Sequence, residues 1–311
     1  MSDTINIFSV TDINFAPYTG IMLTSVFENN KNHSFNVYIL VGKPLKKRIT
    51  DKFCDLEKKY CQKIHFIIVD DTSIRKYNLV DKWTITTYYK LFAGELLPST
   101  ISKVLYLDGD IIVTGDLHQL WNADINGLAM AVAPNIRFED CAKRFHYPAA
   151  AGCFSTGVML MNLDYWRQNQ TGQRFIDFIE KNCERIVVGD QDVFNAVLWD
   201  EKKYLPLTYN YQILFLTKDI FNSKSSDIQK EILETYKSPR IIHYSYINKP
   251  WSVVYYGCPF LKEWKAYKKI SPWSNMLPTV PKRKAMNWLI KRYILWPLRI
   301  MENDMGFIRV K

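Results

Sequence analysis

Apolar residues along this chain follow two alternating rhythms. Short, mostly apolar runs such as Ile5–Val10 and Phe35–Val41 read as strands buried on both faces. Between them, apolar positions return at helical spacing, as in residues 45–60, where charged residues fill the remaining positions. The pattern predicts strands at Ile5–Val10, Phe35–Val41, 64–69, Lys103–Leu107, 157–162 and 240–244. It predicts helices at 21–30, 45–60, 165–182 and 192–199, with 88–97 helical up to Pro98. Alternation of this kind over roughly the first 130 residues implies βαβ units and a mostly parallel sheet. Ligands of such sheets collect beyond the carboxyl ends of the strands.

The strand ends carry the polar chemistry. Lys103–Leu107 runs into Asp108-Gly109-Asp110. Two carboxylates that close must be solvated or neutralised, and Mg²⁺ or Mn²⁺ takes oxygen ligands readily. Gly109 lets the turn open and the backbone approach a ligand. The plain alternative is a solvated acidic turn. The first strand ends at Thr11-Asp12-Ile13-Asn14-Phe15, a set able to hydrogen-bond and stack on a nucleobase, or simply to cap the next helix. Arg240-Ile241-Ile242-His243 ends a strand in a possible nitrogen ligand, with Lys249-Pro250-Trp251 soon after. Gly189-Asp190-Gln191-Asp192 opens a helix, where acids are favourable in any case.

Composition narrows the class. With 311 residues, 48% hydrophobic and only 12 glycines, the chain can bury a large core, which suits one large α/β domain with an appendage. The six cysteines show no Cys-x-x-Cys pair and no zinc-like spacing with histidine, and they read as reduced thiols in the cytoplasm. No apolar run approaches the roughly 18 residues of a membrane span, and the N-terminus lacks the basic start of a secretory signal. The expectation is a soluble protein. Net charge is +10, and residues 281–299 hold six cations and no acid, interleaved with Met286, Trp288, Leu289, Tyr293 and Trp296. That composition suits a helix lying on an anionic membrane. An ordinary docked helix with a solvated basic face has the same pattern, while a single basic helix is weak support for nucleic-acid binding.

Taken in order, Asp12-x-Asn14, Leu107-Asp108-x-Asp110, Gly157-Val158-Met159-Leu160-Met161-Asn162-Leu163 with Trp166-Arg167, Asp190-Gln191-Asp192, and His243 followed by Lys249-Pro250-Trp251 form a joint pattern. It resembles that of the family 8 glycosyltransferases, above all bacterial lipopolysaccharide α-galactosyl- and α-glucosyltransferases. The resemblance implies an α/β, Rossmann-like nucleotide-sugar domain of the GT-A type over residues 1–270. A small, basic, membrane-associating extension would occupy 271–311. It implies retaining transfer of glucose or galactose from a UDP-sugar to a saccharide acceptor such as a lipopolysaccharide precursor, at the inner membrane face. Asp108, Asp110 and His243 would hold Mn²⁺ or Mg²⁺, and Lys249 would face the diphosphate. Thr11, Asp12, Asn14 and Phe15 would receive the uracil. Lys90, Asp108, Gly109, Asn135, Ser155 and Tyr246 complete the implied donor site. Asp190 and Gln191 would sit at the anomeric carbon, where an amide is a poor nucleophile and front-face departure and attack is favoured over double displacement.

This chain departs from the family pattern at three places. Tyr246 stands at a usual glycine, Ser155-Thr156 at a usual Asn-Ala, and Asn135 where some relatives carry an acid. Two other classes compete. A haloacid-dehalogenase-type phosphatase expects Ser or Thr at the position of Ile112. A non-catalytic relative binding a nucleotide sugar or a membrane partner would tolerate Tyr246.

Overall fold

The computed structural model describes residues 4–75, 85–137, 141–245, 249–253 and 259–279, with 290, 306–308 and 310 besides. In chain order the elements used below are β1 (Ile5–Val10), α1 (Ala16–Asn29), β2 (Phe35–Val41), α2 (Lys47–Tyr60), β3 (Lys63–Ile68), β4 (Lys103–Leu107), β5 (Ile111–Val113) and β6 (Met130–Pro134). There follow α3 (Cys141–Phe145), β7 (Phe154–Asn162), α4 (Thr171–Asn182), α5 (Asp190–Val197), β8 (Lys202–Tyr204), β9 (Tyr211–Gln212), β10 (Ile241–His243) and α6 (Leu261–Ile270).

Seven strands form the central sheet in the order β3-β2-β1-β4-β7-β6-β8. The first four run parallel, β7 is antiparallel to both β4 and β6, and β8 is parallel to β6. Side chains alternate across the sheet. Ile5, Ile7, Leu105 and Leu107 enter one core with Ile21, Phe27 and Phe53 of α1 and α2. Phe8, Val104, Tyr106 and Met159 enter the other with Phe175 and Phe194 of α4 and α5. Burial on both faces is why the central strands β1, β4 and β7 are mostly apolar, whereas the edge strand β3 carries Lys63 and His65. Each such side chain contributes about 1.5–3 kcal/mol by leaving water.

A second sheet, β5-β10-β9, fixes the site. The chain leaves β4 through residues 108–110 and enters β5, which pairs antiparallel with β10 so that His243 lies opposite Ile111. The Tyr244 amide donates to the Asp110 carbonyl at 3.0 Å. A histidine far along the chain is thereby set beside the acidic turn.

Several elements differ from the sequence expectation. β5, β8 and β9 span two or three residues each, too short to show a period. The helix expected at 165–182 breaks at Gln170, whose backbone is left-handed (φ 49°, ψ 42°). The stretch expected as one helix at 88–97 is a series of single turns, with a 3₁₀ turn at Tyr89–Phe92 between two short helices. The reading of all cysteines as reduced is corrected. Cys141 and Cys153 are joined as a disulfide with Cα atoms 6.3 Å apart, because the chain between α3 and β7 folds back on itself. Spacing motifs could not show that.

The body extends past residue 271. Trp273 is 3% exposed, fills the space above Gly20 of α1, and meets the Phe53 ring at 5.0 Å. Thr279 and Trp251 bond backbone to backbone. Further on, Ile308 donates to the Leu216 carbonyl at 2.8 Å, and Phe307, Ile308 and Val310 pack on a small core around Tyr211 and Phe215. Apart from Ile290, the basic segment 282–300 lies outside the described residues, as does Tyr246. Among the described residues no helix is long and apolar enough to cross a membrane.

Candidate active site

The carboxyl ends of β1 and β4 meet the N-terminus of α5 and the end of β10 around a cleft of about 480 Å³. The Ser9 hydroxyl donates to the Leu107 carbonyl at 2.8 Å and keeps the β1 and β4 ends level. Thr11, Asp12 and Phe15 line one end, Asp190 and Gln191 the other, with Asp108, Gly109, Asp110, His243 and Lys249 between them.

Asp108, Asp110 and His243 each turn one ligating atom into a common space, all within 4.8 Å of one another. His243 Nε2 lies 3.3 Å from Asp110 Oδ1 and 3.8 Å from Asp108 Oδ2. Lys249 Nζ donates to Asp110 Oδ2 at 2.6 Å and to the Tyr244 carbonyl at 2.8 Å. Burial opposes ionisation of Asp110, but Lys249 and His243 outweigh it and hold the carboxyl well below its usual range. Two carboxylates and one imidazole suit a hard or borderline divalent cation. Gly109 matters here for packing: a Cβ would come within 2.8 Å of Thr19 Oγ1 and 2.9 Å of the Phe15 ring.

The other end of the cleft is built around Lys90, 3% exposed. Its Nζ lies 2.8 Å from Asp190 Oδ2, 3.6 Å from Asp108 Oδ1, and 4.7 Å from the centre of the Tyr106 ring. Burial disfavours the ammonium, yet Asp108 and Asp190 outweigh it and raise its pKa, so Lys90 stays charged. Tyr106 donates to Asp108 Oδ1 at 2.6 Å. Burial and the Asp108 charge push its hydroxyl well above the usual value, so it keeps its proton. Thr156 Oγ1 donates to Asp190 Oδ2 at 2.9 Å.

Gln191 is held by its surroundings. Asn135 Nδ2 donates to Gln191 Oε1 at 3.1 Å. Gly189, at φ 60° and ψ −132°, turns the chain into α5 through a conformation open mainly to glycine. Asp192 is 2% exposed and accepts from the Val187 and Val188 amides at 2.7 and 2.8 Å and from Arg144 at 2.6 and 3.0 Å. Asn195 bonds both the amide and the carbonyl of Phe154, which ties α5 to β7.

Not every residue singled out in the sequence lines the cleft. Asp12 does, and its Oδ1 also accepts the Asn14 and Phe15 amides at 2.8 Å each, which closes the turn before α1. The residue at the N-cap itself is Phe15, with no side-chain cap, so neither Asp12 nor Asn14 is the N-cap. Asn14 is exposed outside the lining, Asn135 reaches the cleft through Gln191, and Ser155 is turned toward the Gly157 amide. Tyr106, Thr86, Thr87, Val188 and Ser245 line the cleft without having been singled out, and so does Thr156, noted in the sequence only as part of a departure from the family pattern. A tyrosine in a buried strand had to find a partner for its hydroxyl, and that was the one usable signal for Tyr106.

The sequence profile of glycosyl transferase family 8 matches residues 6–254. The chain belongs to this family. A lipopolysaccharide 1,2-glucosyltransferase of Escherichia coli K12 is 26% identical over 282 residues, covering 89% of this chain and 81% of that protein. A lipopolysaccharide 1,3-galactosyltransferase of Salmonella typhimurium is 24% identical, covering 88% and 80%. Among solved structures, the galactosyltransferase LgtC in complex with donor and acceptor sugar analogs superposes with a TM-score of 0.74 at 21% identity, covering 90% of this chain and 99% of LgtC. The family 8 protein thus has the GT-A fold expected from its motifs, and it is a glycosyltransferase by family.

Proposed function

We propose that this family 8 protein is a retaining hexosyltransferase that moves glucose or galactose from a UDP-sugar to a saccharide acceptor, a lipopolysaccharide or other surface-glycan precursor. The observation that carries the reading is the meeting of Asp108, Asp110 and His243 with the buried Lys90–Asp190 pair and Gln191 in one cleft. Asp108, Asp110 and His243 would hold Mn²⁺ or Mg²⁺, which supplies Lewis-acid stabilisation of the departing diphosphate.

The chain's own residues supply the rest. Lys249 adds positive charge next to Asp110, which suits a diphosphate. Thr11, Asp12 and Phe15 form the end suited to a base, with Phe15 supported edge-on by Tyr18 and Trp251. Asp190 Oδ2 is committed to Lys90 and Thr156, which suits a group that positions and stabilises the sugar better than one that attacks it. Gln191, an amide fixed by Asn135, offers polar stabilisation without covalent chemistry. Both point to departure and attack on the same face of the sugar.

The reading is tested with UDP-glucose, UDP-galactose and their N-acetyl forms, with Mn²⁺ and no acceptor. Slow release of UDP from one hexose donor, abolished by EDTA, is expected. No release from any of them, or release that ignores EDTA, overturns it.

The basic segment 282–300 is proposed to rest on the anionic inner membrane face, near a lipid-linked acceptor. Replacing Lys282, Arg283 and Lys284 by Gln should weaken vesicle binding by about 1 kcal/mol per cation at low salt. Unchanged binding to anionic vesicles ends the proposal. Substitution is the right tool, since truncation would also strip Phe307 and Ile308 from the core they complete.

A further inference from the structure

We infer that Asn210 is a positioning residue that aims His243 at the cation, an inference resting on the metal reading above. An imidazole ligating through Nε2 needs a lone pair on that nitrogen, so in its neutral form the proton must sit on Nδ1. His243 Nδ1 lies 2.9 Å from Asn210 Oδ1. An amide oxygen accepts and cannot donate, so this contact selects the tautomer with Nδ1–H donating to Asn210. Nε2 is then left facing Asp110 Oδ1 at 3.3 Å and Asp108 Oδ2 at 3.8 Å.

The surroundings hold the ring in that pose. A Cβ on Gly157 would stand 2.3 Å from His243 Cε1 and 2.7 Å from Nδ1, so only glycine leaves room for the imidazole between β7 and the acidic turn. Asn210 closes the 3₁₀ turn Leu207–Asn210, directly before β9, where Gln212 pairs in register with His243. The asparagine is fixed on both sides by backbone.

Asn210 is also an uneconomical choice for packing alone. It is 0% exposed, and its Nδ2 has no hydrogen-bond partner among the described residues. An unpartnered buried amide is unfavourable, and an apolar side chain of similar size removes that penalty. The oxygen is the half of the amide that the site uses. Outer partners of this kind orient ligating histidines and raise their basicity.

Two measurements test the assignment. Wild-type, Asn210→Leu, Asn210→Ala and Asn210→Asp proteins are titrated with Mn²⁺ alone, with binding read by the electron-spin resonance of the free ion. Long-range ¹H–¹⁵N spectra of the histidine rings are recorded for the wild type, metal-free and with Mg²⁺. His243 Nδ1 should be protonated in both states. The Mn²⁺ dissociation constant should rise roughly 10–100-fold in the Leu and Ala variants. The Asp variant, which keeps an acceptor, should return to about wild-type affinity. Wild-type binding by the Leu and Ala variants, or an unprotonated Nδ1 in the wild type, overturns the role of Asn210 alone. A wild-type protein that binds no Mn²⁺ overturns the metal reading and this inference with it. The wild-type spectra decide the matter even where a variant fails to fold.

Discussion

Around Asp110 two carboxylates crowd one turn, with His243 and Lys249 against them, whereas around Asp190 a single carboxylate closes on Lys90 at 2.8 Å. The first region carries more negative charge than its fixed cation neutralises. The second is matched within itself, and Asp192 behind it is matched again by Arg144. A surplus of carboxylate suits an incoming cation, and a balanced buried pair suits a neutral ligand such as a hexose. Lys90 belongs to both regions, because its ammonium also faces Asp108 at 3.6 Å.

Lys90→Met should break this contrast most severely. It leaves Asp190 buried without its partner, and removing one member of a buried pair costs about 3–5 kcal/mol. A large fall in melting temperature, with loss of transfer, is expected from thermal unfolding and UDP-release assays. A variant of unchanged stability would show that the pair is not the keystone of the Asp190 region. Asp110→Asn attacks the other region. It should lower turnover on the order of 10²-fold or more, about 2.7 kcal/mol, while the sugar end stays folded. Near wild-type turnover would remove the metal from the reading. Gln191→Ala sharpens the contrast at least cost. The loss of one polar contact, about 0.5–1.5 kcal/mol, should slow transfer by roughly tenfold at most. A glycosyl adduct on Asp190, caught by mass spectrometry with a slow substrate, would instead favour double displacement.

The Asp110 region was the more legible half in the sequence, and the reason is local. Asp108, Gly109 and Asp110 follow a strand of five apolar or aliphatic-stemmed residues, so strand, turn and acids can be read in one short window. His243 was legible as a strand end, but its approach to Asp110 depends on β5, a three-residue strand with no period to detect. In the Asp190 region the contacts come from distant segments. Asn135 meets Gln191 across 56 positions, and Lys90 lies 66 positions from Thr156. Tyr106 was read as another apolar strand residue because its hydroxyl partner lies two residues on, past the strand end. The start of α1 was placed too late because residues 16–20 have no clear apolar period. The structure begins the helix at Ala16, with Pro17 in its first turn and the Asp12 carbonyl accepting the Ala16 amide.

Described residues on either side of the basic segment are fastened to the body. Thr279 is bonded to Trp251, which stacks on Tyr18 at 3.7 Å beside Phe15 at the cleft, and Ile308 is bonded to Leu216. One anchor thus lies beside the cleft and the other on the small core around Tyr211 and Phe215. A surface contact of the intervening chain, as proposed above, would be handed to the body at both places, so Thr279 and Ile308 are where its load would enter the fold.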